Sequence, residues 1–600
     1  MQALILAAGM GKRLKDLTKD NTKCMVKVCG VTLIDRMLHQ IEKQNVSRIV
    51  IVVGYEGQKL IDYISTLGIK TPIVFVENPI YDKTNNIYSL ALAKDWLCKE
   101  DTLLFESDLI FEDEVLNVLV NDPRDTLALV DKFESWMDGT CVKLSKDDRI
   151  VSFVSKKEFK FAEIDEYYKT VNISKFSKDF SEKYYVPFLD AYEKALGENQ
   201  YYEEVLKLIT ILDVPRIRAR RLSGQRWYEI DDIQDLDIAE SLFAPDPDEK
   251  ARLIEERYGG YWRYPKMKDF CYLVNPYYPP KKLLDEMRAN FDTLITTYPS
   301  GLRVNSLLAG KNFGVHEDNI IVGNGAAELI KALMAMFTGK TGFIRPTFEE
   351  YPHRYSESES VYFVPSNPDF SYTADDIMEF FGDKGVSQII VVNPDNPSGN
   401  YIPKKDLLRL TDWAKGKGIK LVIDESFVDF ADEEDSTLID RDYLLSNPHI
   451  YVMKSISKAY GVPGLRLGVL ASGDGEVLAA MKKDASIWNI NSFAEFFMQI
   501  EEKYKKNLAE GLAKSRAERA RFISELSKIP GLRVIPSQAN FVMVELLKTD
   551  PKALFKALLF KHSLLVKDLT EKTGGNYLRF SVRNEEDNDI LIAALKAEIN

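Results

Sequence analysis

The sequence is short of cysteine, of long apolar runs and of positive charge, and each shortage closes off a class of protein. Five cysteines in 600 residues (Cys24, Cys29, Cys98, Cys141 and Cys271) show no paired spacing, so a disulfide framework is not expected. Cys24 and Cys29 have no second pair and no histidine cluster near them, which argues against zinc. No run of about 18 uncharged apolar residues occurs, so no membrane-spanning helix is expected. The chain enters its first strand without the charged and apolar regions of a signal peptide. Basic residues number 79 against 92 acidic ones, a net charge of −13 that argues against nucleic acid as a main partner. Repeats and low-complexity segments are missing as well. What remains is a chain with 45% apolar and 28% charged residues, ordinary for a globular protein and too long for one core. A reduced, cytoplasmic protein of two to four domains is the expectation.

Residues 2–8 are apolar throughout after Gln2 and read as a buried strand, followed by Gly9-Met10-Gly11-Lys12-Arg13-Leu14. Glycines let backbone amides approach a phosphate, and Lys12 and Arg13 can neutralise it. The spacing is neither that of a Walker loop nor that of a dinucleotide fingerprint. Taken whole, Leu4 to Leu14 resembles the sugar-phosphate and phosphocholine nucleotidyltransferases, and Lys23 matches their second signature, with Thr22 where the family has proline and Lys27 as a rival. The resemblance implies that Leu6, Ala8, Gly9, Gly11, Lys12, Arg13, Lys23, Asn86 and Ser107 meet the nucleotide, with Lys23 and Arg13 acting on the transferring group. Helix and strand patterns alternate from Leu33 to Val76, which predicts βαβ winding and a parallel sheet. Asn85 or Asn86 reads equally as the N-cap of the next helix.

Two strands end in carboxylates: Leu103 to Asp108, and Trp227 to Asp231. Mg²⁺ on a triphosphate takes one or two carboxylates and fills its other positions with water. Asp108 and Asp231 match the family's metal positions, and Asp232 reads as well as an N-cap. Trp136 and Asp138, with Phe133, suggest a cation site, since an indole face attracts an ammonium and a carboxylate pairs with it. Lys169 is a phosphate partner or an exposed lysine. Residues 150–212 read as an insert in a first domain of 1–243, and the proline- and acid-rich stretch at 244–250 as a linker to a second domain of 251–600.

In the second domain a lysine, Lys458, follows the strand-like run Ile450 to Met453, with Ser455 and Ser457 before it and Arg466 after it. A lysine amine can bond the aldehyde of pyridoxal phosphate, and hydroxyl and guanidinium groups can hold its phosphate. Asn396 and Asp424 leave two further strand ends. In open α/β sheets such ends share a crevice, so Asp424 pairs with the pyridine nitrogen and Asn396 bonds the ring 3-oxygen. This set resembles the fold-type I aminotransferases, in the histidinol-phosphate aminotransferase and threonine-phosphate decarboxylase branch, over roughly 250–600. Tyr258-Gly259-Gly260, Asp269-Phe270 and Asn275 to Pro280 look like that branch's N-terminal arm. The resemblance adds Ala326 and Ala327 as phosphate-binding amides, Tyr351 as the ring-stacking aromatic, Tyr298 as a residue reaching a neighbouring subunit's cofactor, and Arg579 as the grip on a substrate anion. Many relatives have tyrosine three residues after the ring aspartate, where this chain has Phe427.

The fold class expected is therefore α/β: a Rossmann-like nucleotidyltransferase domain followed by a fold-type I aminotransferase with a large α/β and a small α+β domain. The order of the two resembles fused cytidylyltransferase–aminotransferases of phosphonate biosynthesis. That resemblance implies CTP, Mg²⁺ and pyridoxal phosphate, an amino donor, 2-aminoethylphosphonate made from 2-phosphonoacetaldehyde, and a homodimer. Phosphocholine or phosphoethanolamine as acceptor, with a decarboxylase as second domain, is the alternative; a degenerate, non-catalytic domain is another, against which Lys458, Asp424 and Asp108 all count.

Overall fold

The computed structural model describes residues 1–212 and 217–599, and the chain divides into two compact units, Met1–Pro265 and Lys266–Asn600. In the first unit the strands Thr102–Glu106, Gln2–Ala7, Ile49–Val53 and Ile73–Glu77 lie side by side in parallel, Gln2–Ala7 being buried along its whole length. Continuous apolar runs of this kind suit a sheet covered on both faces. The helix Leu33–Glu42, opened by Thr32 accepting from the Asp35 amide, packs its apolar face into the same core.

Antiparallel strands extend this sheet, and they correct the expectation of an insert at 150–212. Tyr167–Phe176 pairs with Thr102–Glu106 and with Leu127–Lys132, so it belongs to the main sheet. It is buried almost throughout, which its mixture of tyrosine, lysine and threonine conceals. A two-stranded ribbon, Leu109–Phe111 against Trp227–Glu229, then joins distant parts of the chain. Its pairing continues through the Ile230 amide, which donates to the Asp108 carbonyl at 3.0 Å, so Asp108 and Asp231 are neighbours.

The stretch 244–250, expected as a linker, instead begins a helix. Asp246 caps Pro247–Glu255 by accepting from the Asp248 amide, with proline in the first turn, a helix start that composition alone reads as a linker. The first unit runs on to Pro265, so Tyr258-Gly259-Gly260 belongs to it and not to an arm of the second domain.

The second unit is built on a sheet in which Ile450–Ser455, Lys420–Asp424, Gln388–Val392 and Thr341–Ile344 run parallel in that order, with Leu467–Ser472 antiparallel to Ile450–Ser455 at one side and Ile320–Asn324 antiparallel to Leu467–Ser472 beyond it. A smaller sheet contains Phe541–Leu546 and Tyr577–Ser581. The chain at 268–278 straps across the unit: the Asn275 amide donates to the Lys458 carbonyl at 3.0 Å, and its side-chain amide donates to the Ala459 carbonyl at 2.8 Å. Gly461 has φ +63°, and a Cβ there would lie 1.9 Å from the Tyr278 carbonyl oxygen. Only glycine admits this approach.

Candidate active sites

In the first unit a cavity of about 470 Å³ opens at the carboxyl end of Gln2–Ala7, lined by Leu6, Ala8, the Gly9 to Arg13 loop, Lys23, Asn86, Ser107, Asp108 and Asp231. Every residue that the sequence assigned to the nucleotide is therefore on one surface. Gly11 has φ +58° and a Cβ there would come within 3.0 Å of Lys23 Cβ, which explains the second glycine. Lys23 Nζ donates to Asp108 Oδ2 at 2.5 Å and to Asp231 Oδ1 at 2.7 Å, whereas Lys27 is exposed on a short strand. Burial disfavours the Lys23 ammonium, but the two carboxylates outweigh it and hold the lysine charged well above its ordinary value. Arg13 pairs with Asp231 at 3.0 Å. Asp232 caps the helix Ile233–Phe243 with a capping box, which settles its role. Asn85 is the N-cap of Asn86–Leu92, and Asn86 turns into the cleft and donates to Glu106 at 3.0 Å.

Beneath the cleft Asp108 is joined by two acids that sequence reasoning missed, Glu106 and Glu229. Carboxylate oxygens of Glu106, Asp108 and Glu229 lie within 4.8 Å of one another, and Asp108 Oδ1 is buried without a hydrogen-bond partner. Oxygen donors at this spacing, one of them unsatisfied, fit a magnesium ion. Lys169 is neither exposed nor on the cleft surface. It is fully buried, donates to the Thr170 carbonyl at 2.7 Å and pairs with Glu229 at 3.2 Å. Burial pushes the Glu106, Glu203 and Glu229 carboxyls up, Glu203 to about 7. The signal for Glu106 and Glu229 in the sequence is their position, each two residues before a strand-end aspartate, Asp108 and Asp231.

A second cavity, about 310 Å³, shares Arg13 and Asp231 with the first and is lined by Trp136, Asp138, Tyr228, Asp235, Trp262 and Arg263 among others. Trp136 stacks on Tyr228 at 4.1 Å and packs at a tilt against Trp227 at 5.5 Å. Asp138 is half exposed and holds Lys156 at 2.8 Å. Burial raises its carboxyl, but Lys156 and the Gly139 amide outweigh that and leave it below the ordinary value. Phe133 packs on Phe159 at 5.0 Å.

In the second unit the strand ends of Gln388–Val392, Lys420–Asp424 and Ile450–Ser455 are adjacent, which brings Asn396, Asp424 and Lys458 to one crevice. Burial lowers the Lys458 ammonium to about 8, Arg579 and Arg466 pushing the same way and Asp424 opposing. Asp424 accepts from the Ser426 amide at 2.9 Å and from the Tyr351 hydroxyl at 2.8 Å. Tyr351 is thus a support for Asp424. Its ring is fully buried, with no free face for stacking, while Phe348, edge-on to it at 6.4 Å, is the exposed aromatic of that motif. Asn396 accepts from Arg579 Nη1, and Arg579 Nη2 donates to the Cys271 carbonyl at 2.8 Å. Phe427 is buried edge-on to Phe541 at 5.2 Å, in an apolar cluster.

The phosphate end is a cradle. The helix Ala326–Met336 starts after Gly325, where a Cβ would lie 2.6 Å from Arg466 Nη2. Ser457 Oγ is buried with no partner, and the Ser455 amide is fixed by Ser426 Oγ at 3.0 Å. A helix N-terminus, a guanidinium and an unsatisfied hydroxyl fit the phosphate of pyridoxal phosphate. Tyr298 stacks on Trp488 at 4.3 Å and is 74% exposed.

Fold and sites define an enzyme with two catalytic parts, a nucleotidyltransferase and an aminotransferase. Residues 3–137 match the MobA-like NTP transferase domain, and 305–595 match aminotransferase class I and II, a family that implies pyridoxal phosphate. The chain is 30% identical over 604 residues to a protein of Streptomyces rubellomurinus named CMP-5'-(3-aminopropyl)phosphonate synthase, covering 100% of this chain and 95% of the relative. The chain belongs to the family of that synthase. It is also 31% identical, over 55% of its length and 87% of the relative, to an L-serine phosphate decarboxylase of Sulfurospirillum multivorans. The second unit resembles the crystal structure of histidinol-phosphate aminotransferase from Clostridium acetobutylicum, with TM-score 0.50 and 27% identity over 55% of this chain and 98% of that one.

The lowered Lys458 amine makes a prediction. A neutral amine is the nucleophile, so its fraction rises with pH and reaches about half near pH 8, against about 0.3% for an unperturbed lysine. Borohydride trapping of pyridoxal phosphate on Lys458, read by peptide mass, should be half-maximal near that pH; a midpoint above pH 10 would mean that the site leaves the lysine unperturbed.

Proposed function

We propose that the first unit transfers CMP from CTP to an aminoalkylphosphonate, 2-aminoethylphosphonate, and releases pyrophosphate, while the second unit makes that amine from 2-phosphonoacetaldehyde. The observation that carries this reading is the small cavity beside the nucleotide cleft, where Trp136 presents an indole and Asp138, on exchanging its exposed partner Lys156, a carboxylate to a short ammonium. The full-length likeness to a synthase of a CMP-aminoalkylphosphonate supports it, as does chemistry: an aminotransferase produces the primary amine that the transferase consumes.

An acceptor phosphonate oxygen attacks the α-phosphorus, and the bond to the bridging oxygen of pyrophosphate breaks. Lys23 and the Arg13 loop face that group and stabilise its charge. Asp108, which belongs to both groups of acids, would hold Mg²⁺ with Asp231 or with Glu106 and Glu229, and the ion would neutralise charge on the triphosphate. In the second unit Asp424, Asn396, Ser455, Ser457, Arg466 and the Ala326 and Ala327 amides would hold pyridoxal phosphate, which supplies an electron sink. Lys458 Nζ, poised near neutrality, moves the proton at the amine-bearing carbon of the substrate. Arg579 binds the substrate anion, its Nε being buried and unsatisfied.

Three predictions follow from this reading. Removing a metal carboxylate also strips Lys23 of a partner, so Asp108→Ala should lower CTP-dependent pyrophosphate release by at least about a hundredfold and leave transamination intact; near-native release would remove the metal role. A primary ammonium donates to a carboxylate, whereas a quaternary one needs an aromatic cage, and Trp136 is already packed against Tyr228 and Trp227. 2-Aminoethylphosphonate should therefore exceed phosphocholine in kcat/KM, and Asp138→Asn should narrow that ratio. Equal use of phosphocholine overturns the preference, and better turnover of 3-aminopropylphosphonate moves the assignment one methylene along. Finally, the exposed Tyr298–Trp488 pair suits burial against a second copy; sedimentation should give about twice the chain mass, and an active monomer would contradict it.

A further inference from the structure

Resting on that acceptor reading, we propose that the turn Tyr261–Arg263 forms the outer wall of the acceptor site, with Arg263 binding the acceptor's phosphonate or phosphate group and Trp262 covering its alkyl chain. Both residues lie outside the 3–137 match to the transferase family, yet both line the cavity that holds Trp136 and Asp138.

Charge gives the first reason. The cavity is walled by Asp138, Glu229, Asp231, Asp232 and Asp235. Such a surface attracts an ammonium and repels the dianion at the other end of the same molecule. A cation must offset that repulsion. Arg13 is already paired with Asp231 at 3.0 Å. Arg263 is partly buried, and among the described residues its guanidinium has no ion pair and no side-chain hydrogen bond. A partly buried, unpaired guanidinium facing a cavity is satisfied by an oxyanion, which it binds with two parallel donors.

Geometry gives the second. Gly260, at φ +72°, turns the chain so that Trp262 follows at once. Trp262 is 71% exposed. The turn is nonetheless fixed in place. Tyr264 and Ser241 hydroxyls lie 2.6 Å apart, Arg257 pairs with Asp237, and the Tyr261 hydroxyl donates to the Ile254 carbonyl. Ser241 and Asp237 belong to the helix Ile233–Phe243, whose first turn carries Asp235 and whose cap is Asp232. The turn, Asp232 and Asp235 are thus tied to one helix, which sets the guanidinium and indole against two of the cavity's acids.

The test is steady-state pyrophosphate release with CTP and each of 2-aminoethylphosphonate, 3-aminopropylphosphonate and phosphoethanolamine. Arg263→Ala should raise the acceptor KM at least tenfold and the CTP KM less than twofold, with Arg263→Lys recovering part of the loss. Trp262→Ala should raise the acceptor KM severalfold. A larger loss with the two phosphonates than with phosphoethanolamine identifies the phosphonate group as what Arg263 holds; an equal loss identifies the shared oxyanion. An acceptor KM unchanged in Arg263→Ala overturns the proposal while leaving the acceptor reading standing. No turnover of any acceptor by the unsubstituted protein overturns both. If thermal unfolding shows that Arg263→Ala perturbs the fold, Arg263→Gln and Trp262→Ala decide by the same criterion, since the first keeps most of the side chain without its charge and an exposed indole can be removed without opening a core.

Discussion

The first unit depends on one ammonium held between two carboxylates. Asp108 and Asp231 come from parts of the chain more than a hundred residues apart, and the ribbon Leu109–Phe111 with Trp227–Glu229 brings them together. Like charges at such a distance repel unless a cation lies between them. Lys23 supplies it, and the loop around it is shaped accordingly: Gly11 packs on the lysine stem, and Thr18 bonds the Gly11 carbonyl. A buried pair of this kind adds little net stability, but loss of either partner leaves an uncompensated charge. Its value lies in exchange. On the proposed function, the gathered carboxylates would take up the metal with little rearrangement and the charged lysine would turn to a phosphate.

The second unit treats its central lysine in the opposite way. Lys458 has Asp424 as an opposing charge, but Arg579 and Arg466 stand on the other side, and burial does the rest. The same residue type is held charged in one unit and brought near neutrality in the other. Surplus or shortage of nearby anions decides which.

What could be read from the sequence follows the range of the forces involved. Strand runs such as Ile450 to Met453 and strand-end residues such as Asp108, Asp424 and Lys458 are local patterns, and their neighbours in the sheet follow from parallel winding. The Lys23 bridge was half legible: the lysine and both aspartates stood out, but not that they touch. Tyr351 was visible as an aromatic, while its work on Asp424 depends on a hydroxyl direction that no periodicity encodes. Lys169 was hidden for a different reason. A lysine in a polar stretch reads as exposed, and only the burial of Glu106 and Glu229 around it makes an internal cation necessary. The helix at Pro247–Glu255 shows the limit of composition, since proline and acids open helices as readily as they fill linkers.

That helix and the turn after it have a consequence for how such a chain can be taken apart or recombined. A boundary drawn at the acidic, proline-containing stretch would separate the catalysts on paper, but the first unit continues through Pro265. A transferase ending at residue 250 keeps its sheet, its glycine loop and its carboxylates, and loses the indole and guanidinium that face its second cavity. The segment that looks like a tether is then part of the unit upstream of it, and a first unit grafted onto another partner keeps the lining of its second cavity only if those last fifteen residues travel with it.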